Sequence, residues 1–113
     1  MTVVETPSFL REASAAISES EKAELILYIA TNPEAGVIMP GTGGARKLRW
    51  RALGRGKRGG TRVIYYYHNE SKPLFLLNIF AKSEKANLTK AERSDIKALL
   101  PRLVAGYERR MSK

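Results

Sequence analysis

The chain is 113 residues long, 43% hydrophobic, free of cysteine, and carries 20 Lys and Arg against 11 Asp and Glu, a net charge of +9. Without cysteine there is no disulfide framework, thiolate metal site or thiol nucleophile, and the one histidine, His68, cannot build a metal centre by itself. No apolar run reaches the roughly 20 residues of a membrane span and no signal-peptide core opens the chain, so the expectation is one cytoplasmic domain over residues 1–113 whose positive charge calls for a polyanionic or acidic partner and not a membrane.

Thr2 to Thr6 is β-prone and reads as a short edge strand. Thr6 before Pro7 reads as a helix cap followed by a first-turn proline, with Phe9, Leu10, Ala13, Ala16 and Ile17 as the apolar stripe. Ser18 and Glu21 have the spacing of a capping box and open a second helix, in which Leu25, Leu27, Tyr28, Ile29 and Ala30 are expected to carry burial until Asn32-Pro33 ends it. The two lie too close for a long connection and read as a helical hairpin. Pro33 to Gly44 reads as a loop with an apolar patch, Val37-Ile38-Met39. Its end, Gly41-Thr42-Gly43-Gly44, lacks the Gly-Lys-Ser/Thr ending and strand-loop-helix setting of a phosphate cradle and reads as a bend.

Arg46 to Arg51 alternates with period two: Lys47, Arg49 and Arg51 share one face, Arg46, Leu48 and Trp50 the other. A glycine-rich tip carrying Arg55, Lys57 and Arg58 leads to a return strand, Thr61 to Tyr67, with Arg62, Ile64 and Tyr66 on one side and Val63, Tyr65 and Tyr67 on the other. Eight cationic side chains lie between Gly43 and Tyr67 with no acid among them, whereas Met1 to Pro40 has six acids against two bases, so the charge is concentrated on one hairpin. After a turn at Asn69 to Pro73, Leu74 to Ala81 is apolar on both faces and reads as a central strand. Lys82 and Lys85 follow its end. Thr89 and Glu92 form a second capping-box spacing, opening a C-terminal helix with Ile96, Leu99, Leu100, Leu103 and Val104 inward and a kink or break at Pro101. The class is α+β: a small antiparallel sheet with an N-terminal helical hairpin and a C-terminal helix.

Cations converging from neighbouring strands suit RNA. Cleavage of an RNA strand by its own 2′-hydroxyl needs removal of the hydroxyl proton, stabilisation of the pentacovalent phosphate and protonation of the leaving 5′-oxygen. A lysine crowded by other cations can act as base, and arginine supplies fixed charge to the phosphate. Lys47, Arg49, Arg62 and Lys82 are the candidates for that chemistry, and Arg46, Arg51, Arg55, Lys57, Arg58 and Lys85 for holding RNA. The plainer alternatives are a solvated charged face or nucleic-acid binding without cleavage. Of Trp50, Tyr65, Tyr66 and Tyr67, period two sends most into the core, leaving one at most for a base.

The runs Gly43 to Trp50, Gly54 to Tyr66 and Leu76 to Lys85 resemble, in that order, motifs of the RelE/ParE toxin superfamily of bacterial type II toxin–antitoxin systems, nearest to a HigB-like branch with a GRGKRGG-type loop. The resemblance implies a microbial RNase-like fold and metal-independent, cofactor-free cleavage of mRNA on the 70S ribosome. It also implies neutralisation by a cognate antitoxin, of helix-turn-helix type, in what can be a higher-order complex. By position Lys47 and Arg49 match the family's paired basic residues before the loop, Arg62 the phosphate-holding arginine after it, and Lys82 with Lys85 the basic residues after the last strand. Where RelE-type toxins carry a tyrosine and some HigB toxins a histidine, this chain reads Asn87-Leu88-Thr89. The resemblance also admits a ParE-like inhibitor of DNA gyrase, a binding activity directed at a protein.

Overall fold

A computed structural model describes residues 1–50, 60–81, 85 and 87–111. In chain order these form β1 (Val3–Glu5), α1 (Pro7–Ala16), α2 (Glu19–Thr31), β2 (Val37–Ile38), β3 (Arg46–Trp50), β4 (Thr61–Tyr66), β5 (Leu74–Ala81) and α3 (Lys90–Met111). The strands make one sheet in the order β1-β5-β4-β3-β2. The α+β expectation holds, with two corrections to the sheet. It is mixed, because β1 runs parallel to β5, and it gains β2 from a segment expected to be loop. No helix among the described residues is long and apolar enough to cross a membrane.

The three expected helix caps form, one from Thr6 before Pro7 and two from capping-box spacings. Thr6 Oγ1 accepts from the Phe9 N–H, and its hydroxyl also donates to the Leu76 carbonyl at 2.8 Å, so one threonine starts α1 and ties it to β5. Ser18 and Glu21 make a reciprocal capping box on α2, as do Thr89 and Glu92 on α3. Such boxes satisfy helix-end N–H groups that would otherwise lack partners.

Two apolar clusters sandwich the sheet. On one face α1 and α2 supply Phe9, Ala13, Leu25 and Ile29 against Leu48, Val63, Tyr65, Leu74, Leu76 and Ile79. On the other, α3 supplies Ile96 and Leu100 against Ala45, Ile64, Phe75, Leu77 and Phe80. Burial on both faces explains why β5 reads as continuously apolar. Four side chains expected inside lie outside instead: Leu10, Leu27, Tyr28 and Leu99 are exposed, Leu27 by 70%. Each helix touches the sheet with one narrow stripe, so apolar residues beyond that stripe face water. Pro101 does not divide α3, which stays helical through Met111. Pro101 is itself exposed, so the carbonyl its missing N–H leaves free lies on the water side of the helix.

Met39 to Ala45 is a tight turn built on Thr42, which is fully buried. Its hydroxyl donates to the Met39 carbonyl at 2.7 Å and accepts from the Ala45 N–H at 3.0 Å. Positive φ values at Gly41, Gly43 and Gly44 make the turn possible and deliver the chain into β3, as the bend reading requires.

Candidate functional site

The hairpin register decides where the cations stand. β3 pairs antiparallel with β4 so that Lys47 lies opposite Ile64 and Arg49 opposite Arg62. Residues opposite one another in a ladder share a face. Ile64 belongs to the cluster beneath α3, so Lys47, Arg49 and Arg62 all stand on the α3 side of the sheet. A sequence with this alternation but splayed cations would have had no single binding surface; these converge.

Their settings differ. Arg49 is exposed, Lys47 half-buried, and Arg62 only 5% exposed. A guanidinium that deep lies in a lower effective dielectric than a surface one, so its field on a nearby anion is less screened. Arg49 facing Arg62 places two fixed positive charges on neighbouring strands with no acid at either register position. Two guanidinium groups side by side on one face offer several N–H donors to a single anion.

Arg46 takes the other side. Its guanidinium donates to the Gly36 carbonyl at 2.9 Å and to the Glu34 carbonyl at 3.2 Å, and pairs with the Glu34 carboxylate at 3.8 Å. It pins the loop between α2 and β2 and stands on the face away from Lys47 and Arg49. Tyr65 supports the same loop from β4: the Gly36 N–H donates to its oxygen and its hydroxyl donates to the Pro33 carbonyl, both at 2.8 Å. Burial raises the Tyr65 phenol above its ordinary range, against the partly offsetting Gly36 hydrogen bond.

Beyond Arg62 the same face continues onto β5, where Phe80 is the register partner of Arg62. The Lys85 ammonium sits 5.3 Å from the centre of the Phe80 ring and is hydrogen-bonded to the Glu92 carboxylate. That bond, together with the Thr89 N–H, holds Glu92 below the usual carboxylate range. Glu92 was visible in the sequence as a capping residue; that it reaches Lys85 emerges only in three dimensions, although an acid seven residues after a basic candidate is the signal that would have pointed to it. Arg51, Arg55, Lys57, Arg58 and Lys82 lie outside the described residues.

The aromatic candidates are mostly structural. Tyr65 is fully buried, Tyr67 and Trp50 pack on the α1–α2 cluster, and Trp50 meets Tyr28 with ring centres 5.4 Å apart. Tyr66 packs on the α3 cluster and its hydroxyl is 2.8 Å from Nδ1 of the exposed His68, which stands past the end of β4 opposite to Arg62. A groove of about 680 Å³ runs along the outer side of β3, lined by Leu27, Tyr28, Trp50 and Arg49 among others.

A family model described as the RelE toxin of the RelE/RelB toxin–antitoxin system matches residues 1–113.

Proposed function

The chain belongs to the RelE toxin family, and on that premise we propose that it is a ribosome-dependent mRNA endonuclease that arrests translation in the cytoplasm, related most nearly to the HigB-like branch. Membership implies a RelB-type antitoxin as partner. The observation that carries the nuclease reading is the convergence of Lys47, Arg49 and Arg62 on one face, with two arginines opposed across the ladder.

In the reaction the 2′-oxygen of a ribose attacks the adjacent phosphorus, the bond to the 5′-oxygen of the next nucleotide breaks, and the proton lost from the 2′-hydroxyl is matched by one gained at the leaving oxygen. Negative charge accumulates on the non-bridging oxygens as five-coordinate phosphorus forms. Arg49 and Arg62 supply donors and fixed charge there, and arginine is suited to the task because its planar fork meets two phosphate oxygens at once. Lys47, on the same face, adds a third positive charge. The ribosome supplies the positioning of mRNA that a small toxin cannot supply alone.

Primer extension on cellular mRNA after brief induction tests this. Cuts within translated frames, absent for a folded Arg62→Ala variant, are the expected result. Undiminished cutting by that variant refutes the assignment of Arg62, and DNA breaks with intact transcripts point instead to gyrase as the target.

A further inference from the structure

The cationic face has a second anchor on the far side of Arg62. Phe80 is the β5 neighbour of Arg62, and Lys85 lies over the Phe80 ring. Lys85 is held there by Glu92, whose two carboxylate oxygens have separate duties. Oε2 accepts from the Lys85 ammonium, while Oε1 accepts from the Thr89 N–H at 2.8 Å. The Glu92 N–H in turn donates to Thr89 Oγ1 at 3.1 Å, so the capping box fixes the carboxylate that the lysine meets.

We propose that Glu92 is a positioning residue that holds the Lys85 ammonium over Phe80, the β5 neighbour of Arg62, so that Lys85 adds one phosphate contact to the face formed by Arg49 and Arg62. The proposal rests on the nuclease reading above. An ammonium has three N–H donors and one goes to Glu92, which leaves donors for a phosphate oxygen. The pair is 36% and 39% exposed, and ion pairs this open to water contribute little to stability, so its main consequence is where it places the charge. Beside the pair is a cleft of about 250 Å³ whose walls include Glu12, Ala15 and Ala16 of α1 together with Phe80, Lys85 and Glu92. A lysine left on its flexible stem would have to be ordered at each encounter; a carboxylate fixed by a helix cap does that ordering beforehand.

Glutamine serves in a capping box as glutamate does but carries no charge for the lysine, so Glu92→Gln separates the cap from the clamp. Single-turnover cleavage of ribosome-bound mRNA is measured for the parent, Glu92→Gln, Lys85→Met and the double variant, alongside thermal melting and the affinity for a 2′-deoxy, uncleavable mRNA as salt is varied. Glu92→Gln is expected to melt within a few degrees of the parent yet cleave about tenfold more slowly. Lys85→Met is expected to lose at least as much, and the double variant no more than Lys85→Met alone, because the glutamate acts through the lysine. In the binding arm Lys85→Met flattens the slope of log affinity against log salt by about 0.7, the value for one phosphate contact on a single strand. Parent-like cleavage by Glu92→Gln, losses that multiply in the double variant, or a rate loss matched by a collapse in melting temperature each overturn the proposal while leaving the nuclease reading intact. A parent that does not cleave ribosome-bound mRNA removes that reading and this proposal together.

Discussion

Arg49 and Arg62 face each other across the β3–β4 pair, the first exposed and the second 5% exposed, on the side of the sheet covered by α3. Arg49 is exposed, and a substitution at an exposed ladder position shifts stability by about 0.5 kcal/mol or less. Arg49→Ala is therefore expected to move the melting temperature by no more than about 2–4 °C in either direction. Cleavage on the ribosome should nevertheless fall about 100-fold, the scale for losing one preorganised donor to a developing charge. Calorimetry and single-turnover cleavage on the same preparation check both halves.

Lys47 and Arg46 are adjacent in sequence and on opposite faces, which makes them a matched pair for salt titration. Lys47→Met should flatten the salt dependence of mRNA affinity by about 0.7 log units per log unit of salt. Arg46→Met should leave that slope alone and instead loosen the loop it pins through Glu34 and Gly36. Equal slopes for the two variants would show that the faces are not distinguished by RNA.

Tyr65→Phe removes a hydroxyl that accepts from the Gly36 N–H and donates to the Pro33 carbonyl, leaving a buried donor without its partner. The expected loss is about 1–3 kcal/mol in denaturant unfolding, with cleavage retained at temperatures where the variant is folded. The same phenol shapes the alkaline limb. Burial raises both Tyr65 and Tyr66 above the ordinary tyrosine value of 10.0, so the stability they contribute is complete below that value and is lost as pH rises through their folded values. Unfolding free energy should fall with pH above about 10, and less steeply in Tyr65→Phe.

Glu92 governs the acid limb in the opposite sense. Its carboxyl is held below the ordinary carboxyl value of 4.5 by Lys85 first and the Thr89 N–H second, so its contribution is present above that value and is lost as pH falls through the lower folded one. The difference in stability between the parent and Glu92→Gln should be greatest near neutral pH, at most about 1 kcal/mol for so exposed a pair, and should shrink steadily below pH about 4. Chemical denaturation at a series of pH values measures it.

Much of this fold could be read directly from local pattern. A capping box needs only four residues, and the boxes at Ser18 and Thr89 form as their spacing implies. Period two placed Lys47 with Arg49 and Arg62 with Ile64, and the continuous apolar run of β5 announced a strand covered on both faces. The parallel pairing of β1 with β5 was not legible, because Val3 and Leu74 meet across most of the chain. The inner stripe of α2 was read too broadly: Leu25 and Leu27 point about 200° apart round a helix, so only one of them can face the sheet, and the docking of α2 selects Leu25.

The sequence by itself settled which residues carry charge, which face of its own strand each occupies, and where helices start, because those depend on neighbours a few positions away. Tertiary structure alone decided that Arg49 stands opposite Arg62, that Phe80 comes next, and that Glu92 clasps Lys85. The first two are set by strand register and the third by the docking of α3 on the sheet, choices fixed by burying two apolar clusters at once and not by the pattern within any one element.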